Sequence, residues 1–337
     1  MSSDLHFPQH YKALLTPQQT EKAILALKSF FQQNLAFELD LMRITAPLFV
    51  RAGTGINDDL NGVEQPVAFR INGINNLRAE IVQSLAKWKR MMLKDLDIET
   101  GAGIYTDMNA IRPDDVMDNL HSIYVDQWDW ELAIRPQDRR LDFLKKTVRT
   151  IYDVIRRTEK FICHEYDIPA VLADEITFLH SEDLEAEHPD LSPRERERRA
   201  CKAYGAIFVV GIGGTLPSGD IHDGRAPDYD DWSTPTADGH QGLNGDIIVY
   251  NPVLDCAFEL SSMGIRVDRE ALLRQLRIRN LMERQALYFH KRLLNGELPD
   301  SIGGGIGQSR LCMFYLRKAH IGEIQSSLWP EEMIAAC

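Results

Sequence analysis

Gly245 to Asp268 reads GDIIVYNPVLDCAFELSSMGIRVD, and this stretch decides the fold. Two short apolar runs, Asp246 to Tyr250 and Cys256 to Leu260, flank a turn-like Asn251-Pro252, which spells a β-hairpin. The second arm carries Glu259, Ser261, Ser262 and Arg266, and Gly264 interrupts the alternation where a bulge can re-aim a side chain. An acid, two hydroxyls and an arginine on a buried strand need charged company. The commoner explanation is a structural ion pair, here with Asp246 or Asp268; the other is a charged ligand. The choice depends on the rest of the chain.

With 337 residues and 44% hydrophobic content the chain can bury a large core. Its 38 basic and 50 acidic residues leave a net charge of -12, which argues against a surface built to neutralise phosphate backbones, and so against nucleic acid as a partner. No apolar run approaches the length of a membrane span, and the start MSSDLHFPQH lacks the cationic-then-apolar order of a secretory signal. The expectation is a soluble, cytoplasmic protein with no membrane partner. Cys163, Cys201, Cys256, Cys312 and Cys337 are scattered, odd in number and without CxxC spacing, as reduced thiols are.

Outward from the hairpin, Thr16-Pro17-Gln18-Gln19 is a capping box that opens a helix to about Leu39, with Ile24, Leu27, Phe31 and Leu35 on one face. Leu41 to Val50 reads as a strand broken by Pro47, hence one at a sheet boundary such as a subunit interface. The turn-rich loop RAGTGINDDLNG holds Asp58, and short strands around Asn72-Gly73 fill Val67 to Val82. In SLAKWKRMML a helix presents Lys87, Lys89 and Arg90, either a solvated basic face or an anion site. Gly101 to Trp130 forms two strands: Arg112 ends the first, just before Pro113, and Gln127 and Asp129 share one face of the second.

Leu144, Val148, Ile151, Ile155 and Ile162 keep helical spacing through a core-covering helix, and PRERERR from Pro193 is a charged helix surface. Ile207 to Val210 is an apolar strand ended by a glycine turn. The loop HDGRAPDYDDWSTP, from His222, packs Arg225, Asp228, Tyr229, Asp230 and Trp232 more densely than a connector needs, as binding or lid segments do. A helix spans Arg269 to Leu294. In SIGGGIGQSRLCMFYL, from Ser301, glycines permit close approach to a ligand and Arg310 is a buried cation seeking an anion. Hairpins dominate, so the fold class is α+β, a mainly antiparallel sheet flanked by helices.

Together these segments resemble the three signature motifs of class II aminoacyl-tRNA synthetases, and most closely their stand-alone relatives, the ammonia-dependent asparagine synthetases or aspartate-ammonia ligases. The segments that carry the likeness are SLAKWKR, YVDQWDW, RAPDYDDW, GLNGDI, FELSSMGIRVD and IGGGIGQSRL. Motif 1 corresponds to residues 16–50, motif 2 to 101–130 with Asp114 where a glutamate is usual, and motif 3 to 301–318. The resemblance implies one catalytic domain over residues 1–337, a homodimer formed through motif 1, and ATP-dependent synthesis of asparagine from aspartate and ammonia through β-aspartyl-AMP.

By the same resemblance Arg112 and Arg310 are catalytic cations on the phosphates, and Asp58 orients ammonia or accepts its proton. Lys89, Gln127, Asp129, Arg225, Asp230 and Ser262 hold aspartate; Asp246, Glu259, Ser261 and Arg266 complete the ATP site, and Asp246 and Glu259 bind Mg²⁺. An aspartyl- or asparaginyl-tRNA synthetase would need an anticodon-binding domain, yet this chain enters the motif 1 helix by Thr16. A glutamine-using synthetase would carry a nucleophilic cysteine where Ser2 stands. A catalytically silent relative would be expected to have lost a motif arginine or acid, and Arg112, Arg310, Asp246 and Glu259 are all present.

Overall fold

The computed structural model describes residues 5, 6, 8–58, 60 and 64–336; Ser2, Cys337 and the Asn61-Gly62 end of the Asp58 loop lie outside them. The chain opens with α1 (Pro17–Glu38). Thr16 Oγ1 accepts from the Gln19 amide at 3.3 Å while Gln19 Oε1 accepts from the Thr16 amide at 3.0 Å, the expected capping box. Leu27 and Phe31 are fully buried, and Ile24, one position off the stripe, only partly so. Instead of one strand, Leu41 to Val50 makes β1 (Leu41–Arg43) and β2 (Phe49–Arg51), which belong to different sheets; Pro47, lacking an N–H, falls between them.

β2 joins β3 (Ala68–Ile71) and β4 (Leu77–Ile81) in a three-stranded antiparallel sheet. Then follow α2 (Ala86–Asp95), β5 (Gly103–Ile111), β6 (Tyr124–Ala133) and the 26-residue α3 (Leu141–Tyr166), whose Leu144, Val148, Ile151, Ile155 and Ile162 are fully buried as expected. β7 (Thr177–His180), α4 (Ser181–Glu187), α5 (Pro193–Tyr204) and β8 (Ala206–Val210) lead to the hairpin, β9 (Asn244–Asn251) and β10 (Cys256–Ile265). The helix expected over Arg269 to Leu294 is broken. It divides into α6 (Arg269–Ile278), a 3₁₀ turn at Met282–Ala286 and α7 (Tyr288–Leu294), with Asn280 left-handed at φ 57° between them. β11 (Ser301–Gly307) and α8 (Gln308–Tyr315) follow.

The large sheet has the order β1-β5-β6-β11-β10-β9-β8-β7. It is mixed rather than mainly antiparallel: its central pairs are antiparallel, but β1 runs parallel to β5 and β7 parallel to β8 at the two edges. Hairpins are legible as local turns, whereas these two parallel pairs are closed by long crossovers that leave no local mark. One face is buried by α1, α3 and α8 around Phe31, Trp128, Ile247 and Ile306. On the other face α2 covers the β6 side and α5 the β9 and β10 side, so a strip of β6, β11, β10 and β9 lies between them.

Candidate active site

A bulge aims the hairpin. The register between β9 and β10 shifts between Glu259 and Ser261, with Leu260 as the extra residue, rather than at the expected Gly264. Glu259 pairs with Ile248 and Ser262 with Asp246; those partners are two residues apart on β9, so Glu259 and Ser262 share one face although they are three apart in sequence. Leu260 and Ser261 turn to the core. Ser261 stands opposite Ile247 and Ile306, both core residues, so its side chain is not offered to the ATP site that the resemblance gave it.

Across the strip a single row reads Asp129, Gly305, Ser262, Asp246. At about 4.8 Å between strands, three steps span ~14 Å, room for an extended amino acid joined to a phosphate. The glycine at the centre is required: a Cβ on Gly305 would stand 2.4 Å from Gln127 Oε1 and 2.8 Å from Asp129 Oδ1. Gly303 is used in the same way, since its Cβ would meet Glu131 Oε2 at 2.0 Å.

The basic cluster on α2 is buried, not a solvated face. Lys89 is 1% exposed, with Nζ 3.1 Å from Asp129 Oδ1 and donating to the Gly304 carbonyl at 2.9 Å. Burial pushes its ammonium down while Asp129 opposes. Lys87 meets Asp228 at 3.2 Å, and His290 of α7 meets the same carboxylate at 2.9 Å. Arg90 holds the backbone carbonyls of Val267 and Pro299.

Arg225 lies at the far end of the row, 2.5 Å from Asp246 Oδ2 and 3.3 Å from Ser262 Oγ, with Asp223 on its other nitrogen at 2.8 Å. Burial raises the Asp246 carboxyl, the Glu259 charge adds to the rise, and Arg225 opposes it. Its Oδ1 is buried and has no hydrogen-bond partner among the described residues.

Arg266 joins neither Asp246 nor Asp268. It is clamped between Glu131, at 2.8 Å, and Asp230, and is 2% exposed. Asp268 pairs instead with Arg139 at 3.3 Å and caps α6 by accepting from the Ala271 amide. The ion-pair explanation was thus right in kind for Arg266 and wrong in partners. Glu131 was missed, although the alternation Gln127, Asp129, Glu131 on one strand face could have found it. Asp230 completes this triad through one carboxylate oxygen, and burial raises its carboxyl.

The loop from His222 is a fixed wall. Buried Gln275 of α6 accepts from the Trp232 amide and donates to the Pro227 and Asp230 carbonyls. Tyr229 beside them has its phenol raised well above the usual range by burial and by the charge of Asp58. Asp58 itself is 3% exposed.

Beyond Gln127 the strip opens into a cavity lined by Arg112, Asp115, Gln127, Glu259 and Arg310. Arg112 donates to the Gln83 carbonyl at 3.0 Å. Arg310 is not buried: its side chain is 24% exposed and 3.3 Å from Glu259. Asp114 is turned away, accepting from the Gln65 amide, and Asp115 takes the place on the cavity wall. The cavity and the row together offer cations to anionic groups, and hard oxygen donors between them.

The aspartate-ammonia ligase sequence model matches residues 18–337. An aspartate--ammonia ligase of Parabacteroides distasonis is 61% identical over 327 residues, covering 97% of this chain and 95% of that one. The chain belongs to the aspartate-ammonia ligase family. A Bacteroides fragilis member is 58% identical over 331 residues, 98% of this chain and 96% of its own. The expected enzyme class, an amide-forming ligase, therefore stands.

Among solved structures, asparaginyl-tRNA synthetase of Pyrococcus horikoshii complexed with asparaginyl-adenylate superposes with a TM-score of 0.65 at 15% identity, over 93% of this chain and 70% of that one. The Entamoeba histolytica asparaginyl-tRNA synthetase, also with asparaginyl-adenylate, gives 0.64 at 15% identity over 92% and 66%. At such identity the likeness is one of fold, and it bears out the class II synthetase-like architecture of this ligase-family chain.

Proposed function

We propose that the chain makes asparagine from aspartate, ATP and ammonia through β-aspartyl-AMP, releasing AMP and pyrophosphate. The observation that carries this reading is the row Asp129, Gly305, Ser262, Asp246, flanked by Lys89 and Arg225 and opening onto Arg112 and Arg310. A carboxylate is a poor electrophile. The β-carboxylate of aspartate first attacks the α-phosphorus of ATP, expelling pyrophosphate; ammonia then attacks the acyl carbon, AMP leaves with the bridging oxygen, and one proton is lost.

Two anions meet in the first step, so Arg112 sits on the α-phosphate and Arg310 bridges the phosphates as charge accumulates. Lys89 and Arg225 receive the carboxylates of aspartate, Gln127, Asp129 and Asp230 its ammonium end, and Ser262 adds a hydrogen bond. Asp58 orients ammonia or takes its proton.

The donor set fits a magnesium ion: two carboxylates, Asp246 and Glu259, on one face, with a buried Asp246 oxygen that lacks a partner. Bound there, Mg²⁺ supplies positive charge against the triphosphate. The Asp246 carboxyl, pushed up to about 7, must lose its proton to ligate. Magnesium affinity is therefore expected to fall as the pH drops through that value, with a proton released on binding below it. Calorimetry in two buffers of different ionisation enthalpy reads that proton, and its absence at about pH 6 would remove Asp246 as a ligand.

The unit is proposed to be a single catalytic domain acting in the cytoplasm as a homodimer. Leu25, Phe37, Met42, Leu48 and Phe49, all from motif 1, are 45–84% exposed, an apolar surface of the kind a second copy covers. Among the described residues no helix is long and apolar enough to cross a membrane.

The test is product analysis with aspartate, ATP, Mg²⁺ and ammonium. Asparagine and AMP are expected to appear together without ADP. Neither product, with both substrates still bound, would make the chain a silent relative.

A further inference from the structure

Among the described residues, Gln83 is the one side chain with both of its polar atoms buried and without a partner. It is fully buried, and neither Oε1 nor Nε2 has a hydrogen-bond partner among the described residues. A buried amide costs about 1–3 kcal/mol for each group left unpaired, so one with both ends unpaired calls for an explanation. Its main chain is held from two sides. The Asn57 side-chain oxygen accepts from the Gln83 amide at 2.9 Å and from the neighbouring Asp58 amide at 3.0 Å, while the Arg112 guanidinium donates to the Gln83 carbonyl at 3.0 and 3.3 Å. The residue is thus tied to both the ammonia-side acid and the α-phosphate cation. Val82 and Leu85 beside it are anchored in an apolar cluster with Met108 and Ala110, so the segment cannot swing out to water without losing that packing.

We propose that the Gln83 carboxamide is a positioning group for the amide-forming step: Oε1 accepts an N–H of ammonia and Nε2 donates to the carbonyl oxygen of the β-aspartyl group. This rests on the reaction proposed above. An amide suits the task where a carboxylate would not. It holds ammonia by a hydrogen while leaving the nitrogen lone pair free for the acyl carbon, and it does not favour the ammonium ion, which has no lone pair to give. The same pairing serves the product, whose amide keeps N–H and C=O in these places.

Gln83→Met retains length and removes both polar atoms. Run beside the wild type, it is expected to raise the KM for ammonia by about tenfold or more, with ATP–pyrophosphate exchange reduced by a smaller factor than asparagine formation and a melting temperature equal to or above the wild type. Gln83→Asn, which keeps a carboxamide, is expected to recover part of the loss. An unchanged ammonia KM overturns the proposal, as does a lower melting temperature or failure to fold, either of which would make the amide a structural group. Absence of asparagine in the wild type would instead fail the reaction on which the inference rests.

Discussion

Arg310→Ala is expected to reduce ATP–pyrophosphate exchange by about 10²–10³-fold, the usual loss when one positioned cation or donor is removed from a developing charge. The fold should survive. Arg310 is partly exposed, its ion-pair partner Glu259 is 42% exposed, and surface pairs of this kind contribute about 0–1 kcal/mol. A normal melting temperature with exchange lost is therefore the expected result. Asp58→Ala gives the contrasting pattern: exchange is retained and asparagine formation slows. Loss of exchange in the Asp58 variant would remove its assignment to the second step, and retained exchange in the Arg310 variant would take Arg310 out of adenylation.

Glu131→Ala is expected to cost about 3–5 kcal/mol of stability. Glu131 is fully buried, grips Arg266 through both oxygens and accepts from Ser301 Oγ at 2.7 Å. Its removal leaves the Arg266 guanidinium with Asp230 alone, in a place water does not reach, and Lys89 nearby loses a compensating charge as well. Against a typical total of about 5–15 kcal/mol this is a large fraction. Denaturant unfolding reads it directly; a shift under about 1 kcal/mol would show that the triad is not a structural unit. Because Arg266 bridges β6 and the Asp230 wall, the aspartate KM should rise in whatever fraction still folds.

Much of the candidate site was legible because it lies on strands. Alternation put Gln127 and Asp129 on one face, and the motif spacing brought Arg112, Asp246, Glu259 and Arg310 into view before any tertiary contact was known. The capping box at Thr16 and the stripe Leu144, Val148, Ile151 are likewise local facts, set by hydrogen bonds three residues apart and by the helical period. What periodicity could not say was which polar residues pair with each other. Arg266 chose Glu131, 135 positions away, and Lys87 and His290 met on Asp228 across three separate segments.

Sequence by itself placed most of the elements, the family resemblance and the candidate site residues, since these depend on short-range spacing and on residue type. Tertiary structure alone decided the rest. It buried the α2 cations, sent Ser261 to the core through a bulge at Leu260 rather than Gly264, made the two sheet edges parallel, and enclosed the Gln83 amide without a partner among the described residues. The physical reason is common to all four. Burial and pairing are properties of what the chain brings alongside from far away, and a dipole or charge has no preferred partner until the low-dielectric surroundings that make pairing obligatory have formed around it.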